Sequence, residues 1–213
     1  MSMQALFKLP LIAILRGVRP HEVLAHASAL VEAGFDAIEV PLNSPDGVGS
    51  IAQLIRALGS GVTVGAGTVL QVEQVEALER VGARMLVTPN TQPRVIARAR
   101  AAGMLTCIGC MTATEAFAAL DAGADALKIF PASALGPAYI RALRAVLPPD
   151  VPVFAVGGIS ADNLAEYLAA GCAGAGLGGE LYRAGQTVQR TRSQAQAFVQ
   201  AFQAFQTSRE TPP

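Results

Sequence analysis

The chain of 213 residues has no tryptophan, three cysteines, two histidines and only 15% charged residues. Each shortage excludes something. An odd cysteine count with no secretory leader argues against a disulfide framework. Cys107 and Cys110 form a CxxC, the spacing of redox and metal sites, but they lie in the strand-like "LTCIGCM". A separation of three puts them on opposite faces of a strand, so buried, reduced thiols are expected. His21 and His26 are five apart on an expected first helix and share no face, so no metal site is expected from them. Sixteen basic residues balance sixteen acidic ones, which leaves no electrostatic footprint for nucleic acid. No apolar run approaches the ~18 residues of a membrane span, and none is longer than a strand such as "LPLIAIL". The opening residues lack the basic and apolar regions of a signal peptide, and "MSM" reads as a start-site remnant. The expected compartment is the cytoplasm.

What the chain has in abundance is apolar residues, 52%, and 21 glycines. Such a composition suits strands buried on both faces. One pattern recurs in "VEAGFDAIEV", "ERVGARMLVT", "RAAGMLTCIG", "LDAGADALKI" and "LAAGCAGAGL". Each reads as a helix end, a glycine that accepts the left-handed closing conformation, and a short apolar strand. Eight strands follow: "LIAILRG", "AIEVPLN", "VTVGAGTV", "MLVTPN", "LTCIGCM", "ALKIFPA", "VPVFAVGG" and "GAGLGGE". Helical patterns follow each strand, among them "QVEQVEALERVGA", "GPAYIRALRAVLP" and "SADNLAEYLAAG". Alternation of this kind implies a parallel sheet, and eight units imply a single α/β domain, a (β/α)8 TIM barrel. An open doubly wound sheet is the competing architecture. The barrel is assigned to residues 1–206, and residues 207–213 to a disordered tail.

Active sites of such barrels lie at the C-terminal ends of the strands. Those ends carry Arg16, Glu39 with Asn43, Thr68, Thr88 with Asn90, Lys128, and two glycine clusters. Lys128 alternates with Leu127 and Ile129, and Glu39 with Ile38 and Val40. If the apolar neighbours pack on helices, both charged groups point into the barrel. A buried ion pair is one reading of the two. The chemical reading is a nucleophilic lysine in an apolar pocket, where desolvation favours the free amine that attacks a ketone. Glu39 would then shuttle protons among water, a carbinolamine and a substrate hydroxyl. "VGGIS" with Gly157 and Gly158, and "GLGGE" with Gly178 and Gly179, follow the seventh and eighth strands, where barrels bind phosphate on bare amides. Ser160 is placed to cap the next helix. Tight turns alone are the alternative explanation of the glycines. Together these features suggest a phosphorylated keto substrate handled through a lysine imine.

"AILRG", "GFDAIEVPLNSP", "VGAGTV", "LVTPN", "ALKIFPAS", "AVGGIS" and "AGAGLGGELY" resemble, in order, the motifs of the 2-keto-3-deoxy-6-phosphosugar acid aldolases (the KDPG/KHG aldolase family). The resemblance runs from about Leu9 to the final helix. It implies a (β/α)8 barrel that forms homotrimers and a class I lyase that needs no metal or other cofactor. The implied substrate is a phosphorylated keto-deoxy sugar acid, cleaved to pyruvate and D-glyceraldehyde 3-phosphate. By this resemblance Lys128 is the Schiff-base lysine and Glu39 the proton acceptor and donor. Arg16 and Thr68 contact substrate, and Asn43, Pro89, Phe130 and Val156 are counted with them. Gly157, Gly158, Gly178 and Gly179 hold the phosphate. The gluconate branch carries an arginine near "TLRT" and a threonine in "PTGG"; this chain has "PLNSP" and "AVGG". It therefore looks like the branch acting on the galactonate epimer, in galactonate or galactose catabolism, with the gluconate epimer and 4-hydroxy-2-oxoglutarate as alternatives. Gly179 departs from the serine common at that position. A phosphosugar epimerase or synthase without an imine, and a non-catalytic sugar-phosphate sensor, are the rival classes; neither needs both Glu39 and Lys128.

Overall fold

In the computed structural model, which describes residues 7–210, all eight expected strands form and pair in parallel. They are β1 (Leu11–Ile14), β2 (Ala37–Pro41), β3 (Thr63–Gly67), β4 (Met85–Val87), β5 (Leu105–Cys110), β6 (Ala126–Ile129), β7 (Val153–Val156) and β8 (Gly174–Leu177). Each pairs with its sequence neighbour and β8 pairs back onto β1, so the sheet is a closed barrel and not an open doubly wound one. Ile14 stands beside Glu39, Glu39 beside Gly65, and Lys128 beside Phe154.

Alternation along each strand sorts the side chains into two cores. Leu11 and Ala13, Ile38 and Val40, and Leu127 and Ile129 face outward and pack under the helices. Ile12, Ala37, Met85, Ala126 and Phe154 fill the barrel itself. Each fully buried aliphatic side chain stabilises the fold by about 1.5–3 kcal/mol. Glu39 shares its strand face with Ala37, and Lys128 with Ala126, so both point inward as the alternation required. Glycines on β3 and β8 leave room for inward side chains. A Cβ on Gly67 would lie 2.6 Å from a Glu39 carboxylate oxygen, and one on Gly176 would lie 2.8 Å from Val156 Cγ2.

The helices are α1 (Val23–Glu32), α2 (Gly47–Leu58), α3 (Val72–Arg80), α4 (Pro93–Ala101), α5 (Ala113–Asp121), α6 (Ala132–Arg144), α7 (Leu164–Ala169) and α8 (Val188–Glu210), with a 3-10 turn at Gly59–Gly61. Gly34, Gly82, Gly103, Gly123 and Gly171 all have positive φ, as the repeat predicted for helix-ending glycines. α2 is hard to see in the sequence because glycines occupy its first turn. Asp46, itself left-handed, caps it by accepting from the Gly49 N–H at 3.1 Å. α6 begins at Ala132, four residues before the predicted start, and is kinked where Gly136 leaves helical geometry. Ser160 does not cap α7 directly. It exchanges hydrogen bonds with Asn163 and closes the turn that precedes the helix.

Residues 207–210, expected to open a disordered tail, continue α8 instead. Thr207 and Ser208 hydroxyls donate to the carbonyls of Gln203 and Phe205 within that helix. The opening "MSM" and the last part of the expected tail, residues 211–213, lie outside the described residues. No helix among the described residues is long and apolar enough to cross a membrane.

Candidate active site

The mouth of the barrel at the strand C-termini holds a cavity of about 450 Å³. It brings together Arg16, Thr68, Pro89, Lys128, Phe130, Val156, Gly157, Gly158, Gly178 and Gly179, all picked out in the sequence. Ile14, Ile159 and Glu180 complete the lining and were not anticipated. Ile14 was readable by counting two positions from Ile12 along an inward face. Glu180 was not, because a charged residue after a glycine turn ordinarily reads as solvated surface. Glu39 and Asn43 stand outside the lining set.

Lys128 is 4% exposed, enclosed by the apolar interior, and lines the cavity. The nitrogen lies 5.0 Å from the centroid of the Phe130 ring, a cation–π distance. None of the ion pairs among the described residues involves it. The buried ion-pair reading therefore loses its geometry: Glu39 and Lys128 do not approach within 4.0 Å. A lysine held without a carboxylate partner keeps its lone pair available once deprotonated.

Glu39, 1% exposed, sits beneath the cavity against Gly67. Its Oε2 is buried with no hydrogen-bond partner. Burial raises the pKa of this carboxyl, and the positive charges of Lys128 and Arg16 pull it part of the way back. An unpartnered buried carboxyl oxygen is costly unless a ligand or water uses it.

The other end of the cavity is made of backbone. Gly157 and Gly158 have φ of 94° and 75°, and a Cβ on Gly158 would lie 2.5 Å from Ser133 Cβ. Only glycine turns the chain there. The amide of Gly158 donates to no described residue, nor does that of Gly179. After β8 the chain makes one tight turn, with the Gly178 carbonyl accepting from the Leu181 and Tyr182 N–H groups. The next helix after "GLGGE" is α8, which starts at Val188. A Cβ on Gly178 would meet nothing within 4 Å, and one on Gly179 only Arg183 Nε at 4.0 Å. Bare amides in open space suit an anion.

Thr68, at the end of β3, has φ of 57°. A β-branched residue in the left-handed region is strained by about 1–3 kcal/mol, and such strain collects at functional sites. Arg16 reaches the cavity from the end of β1, and Asn43 accepts from its Nη1 at 3.0 Å. The next residues repeat the link, with Gly17 N–H donating to Ser44 Oγ at 2.9 Å. Asn43 thus braces the arginine. Thr88 is fully buried and spent on its own loop, donating to the Asn90 carbonyl and accepting from the Gly109 N–H.

Cys107 faces the barrel interior and Cys110 the helices, so the CxxC is split between faces as the strand geometry demanded. Burial pushes both thiols up to about 12. His26 is buried on Thr191 Oγ1, 2.8 Å away. No cluster of three or more His, Cys, Asp or Glu among the described residues is arranged to hold a metal.

The (β/α)8 barrel thus holds, at or near one mouth, a lysine without an ion-pair partner, a separate buried carboxyl and a run of bare amides. The chain belongs to the KDPG and KHG aldolase family, whose model matches residues 3–196. It is 61% identical over 200 residues to the 2-dehydro-3-deoxy-6-phosphogalactonate aldolase of Escherichia coli K12, covering 94% of this chain and 98% of that protein. It is 50% identical to a probable 2-dehydro-3-deoxy-6-phosphogalactonate aldolase of Rhizobium meliloti, covering 92% of each. A solved "native KDPGal" structure superposes with a TM-score of 0.95 at 59% identity, covering 97% of this chain and 100% of that one.

Proposed function

We propose that the chain is a class I aldolase that cleaves 2-dehydro-3-deoxy-6-phosphogalactonate to pyruvate and D-glyceraldehyde 3-phosphate, in the cytoplasm and as a homotrimer. The observation that carries the reading is the Lys128 amine, unpaired in a cavity whose far end is built of glycine amides. The substrate is anionic at both ends and ketonic near one of them, and the cavity offers a matching group for each part. Arg16 and Thr68 take the carboxylate end, Lys128 the C2 carbonyl, and Gly157, Gly158, Gly178 and Gly179 the phosphate. The two phosphogalactonate aldolases above support the choice of sugar acid.

In the reaction the Lys128 nitrogen adds to C2, and the carbinolamine loses water to give an imine. Glu39 supplies the proton that leaves with that water. The carboxylate so formed takes the proton of the C4 hydroxyl as the C3–C4 bond breaks. The electron pair of that bond passes into the enamine on Lys128, and the aldehyde departs with its phosphate. Protonation of C3 and hydrolysis then release pyruvate and restore the amine. The protonated imine is the electron sink, so no step requires a metal or other cofactor. Phe130 and Pro89 wall the imine from bulk water, which keeps its charge effective.

Sodium borohydride with pyruvate tests the reading. A reduced three-carbon adduct is expected on Lys128 by mass mapping, and Lys128→Ala is expected to abolish it. An adduct on another lysine, or none, overturns the imine. Light scattering on the purified chain tests the trimer.

A further inference from the structure

Glu180 poses a problem for the phosphate end of the site. It lines the same cavity as Gly158, Gly178 and Gly179, so a carboxylate stands beside the place assigned to a phosphate dianion. Two like charges at such range repel, and that repulsion would weaken binding of the substrate's phosphate end unless something offsets it. The turn that carries Glu180 also carries the remedy. Arg183 Nη2 meets Glu180 Oε1 at 2.9 Å, and Arg183 Nε donates to the Gly179 carbonyl at 2.8 Å. Arg183 is tethered in turn: its own N–H donates to Gln186 Oε1 at 3.0 Å, and Gln186 Nε2 donates to the Leu181 carbonyl at 3.0 Å. One side chain therefore neutralises the acidic lining residue and grips the peptide unit next to the open Gly179 amide. The space that a side chain at Gly179 would occupy ends on Arg183 Nε, 4.0 Å away.

We infer that Arg183 is a positioning residue of the phosphate end, and that it sets affinity for phosphorylated substrate by cancelling Glu180 and holding the Gly179 peptide. The inference rests on the aldolase reading above for the identity of the anion. It makes no claim on the lysine chemistry, since the pyruvate half carries no phosphate. Arg183 touches no reacting atom. Its effect falls on KM for the phosphorylated substrate and spares imine formation with pyruvate.

Arg183→Gln, Glu180→Gln and the double variant test this, with 2-dehydro-3-deoxy-6-phosphogalactonate as the substrate and pyruvate trapping measured on the same samples. Both side chains are half exposed or more, 50% for Glu180 and 63% for Arg183, so the fold is not at stake. Arg183→Gln is expected to raise KM about three- to tenfold with kcat within about twofold, and added salt is expected to shrink the difference. The double variant is expected to recover most of the loss, because the carboxylate that Arg183 neutralised is gone. An unchanged KM overturns the inference. So does a rise that Glu180→Gln fails to relieve, or an equal fall in kcat and pyruvate trapping. If the wild-type chain traps no pyruvate on Lys128, the aldolase reading fails instead, and the trapping arm separates the two failures.

Discussion

Glu39 and Lys128 enter the barrel from β2 and β6, four strands apart around the closed sheet, and face one interior without forming an ion pair. The separation matters more than the proximity. A direct pair would tie up both the amine and the carboxylate in the resting site and leave neither for chemistry. Held apart, they still sense each other, since Lys128 draws down a carboxyl that burial pushes up. In the proposed reaction Lys128 takes the C2 carbonyl and Glu39 the C4 hydroxyl, one carbon apart.

Replacing Glu39 by Gln keeps the shape and removes the exchangeable proton. Loss of general acid–base catalysis costs ~10²–10⁴-fold in rate, and kcat is expected to fall by that much. Pyruvate trapping on Lys128 is expected to slow as well, because imine formation also needs proton transfers. Steady-state kinetics and the trapping rate check both. Near-native kcat would reduce Glu39 to a structural residue.

The same residue has a signature in stability. Its pKa in the folded chain is raised above the ordinary value of 4.5, chiefly by burial. As pH rises through that window the unfolded chain gives up its proton first, so the folded state binds more protons and stability falls. Above the folded pKa the cost is complete and constant. His26 acts in the opposite sense. Burial lowers its pKa below 6.5, so falling pH protonates the unfolded form first and removes stability. His26 is common to the wild type and Glu39→Gln, and its contribution cancels between them. Thermal melts from pH 4 to 8 are therefore expected to show wild type losing Tm relative to Glu39→Gln as pH rises. A difference that does not change with pH would refute the raised pKa.

Much of this architecture is legible without coordinates, for definite reasons. The eight strands show because apolar runs follow helix-ending glycines, and the inward pointing of Glu39 and Lys128 follows from their apolar neighbours alone. α2 is hidden because Gly47 and Gly49 look like loop residues. A Cβ on Gly49 would lie 2.2 Å from an Asp46 carboxylate oxygen, so a larger residue there would push the capping side chain aside. The early start of α6 is hidden because Gly136 and Pro137 look like a helix opening, not a kink within one. The role of Asn43 depends on a partner 27 residues away, which no local pattern announces. Glu180 follows a glycine turn, where a charge looks like solvated surface, and only the cavity shows what lies beside it.

Asn43 yields a third prediction. Its Oδ1 is the hydrogen-bond partner of Arg16 Nη1, so Asn43→Ala leaves the guanidinium to wander over the cavity mouth. Loss of one hydrogen bond to a charged group at an exposed position is worth about 0.5–1.5 kcal/mol. KM is expected to rise ~2–10-fold with kcat little changed, as for a group that binds ground state and transition state alike. Asn43→Gln, which returns an acceptor one methylene further out, is expected to recover part of the loss. A KM unmoved by Asn43→Ala would leave Asn43 as a turn residue only.

Val156 is expected to set the choice between epimers. The galactonate and gluconate substrates differ only at C4, the hydroxyl-bearing carbon of the bond that breaks, and both give the same two products. Discrimination must come from contacts around that hydroxyl. Val156 ends β7 just before Gly157 and Gly158, is 5% exposed and lines the cavity. Its position is tight: its Cγ2 would come within 2.8 Å of a Cβ on Gly176, so glycine on β8 is what admits the valine. Threonine has nearly the same volume and fits the slot, yet it exchanges a methyl for a hydroxyl. A buried hydroxyl is costly when unpaired and favourable when a substrate oxygen meets it, so the swap acts on the two epimers unequally. Wild type is expected to prefer the galactonate epimer, with slower turnover of the gluconate one. Val156→Thr is expected to move the ratio of kcat/KM toward gluconate by about one hydrogen bond, ~0.5–1.5 kcal/mol or two- to tenfold. Pyruvate release from both substrates, for wild type and variant, gives the four values needed. A ratio that stays put, or moves toward galactonate, removes Val156 as the determinant and leaves the braced Arg16 as the group to examine next.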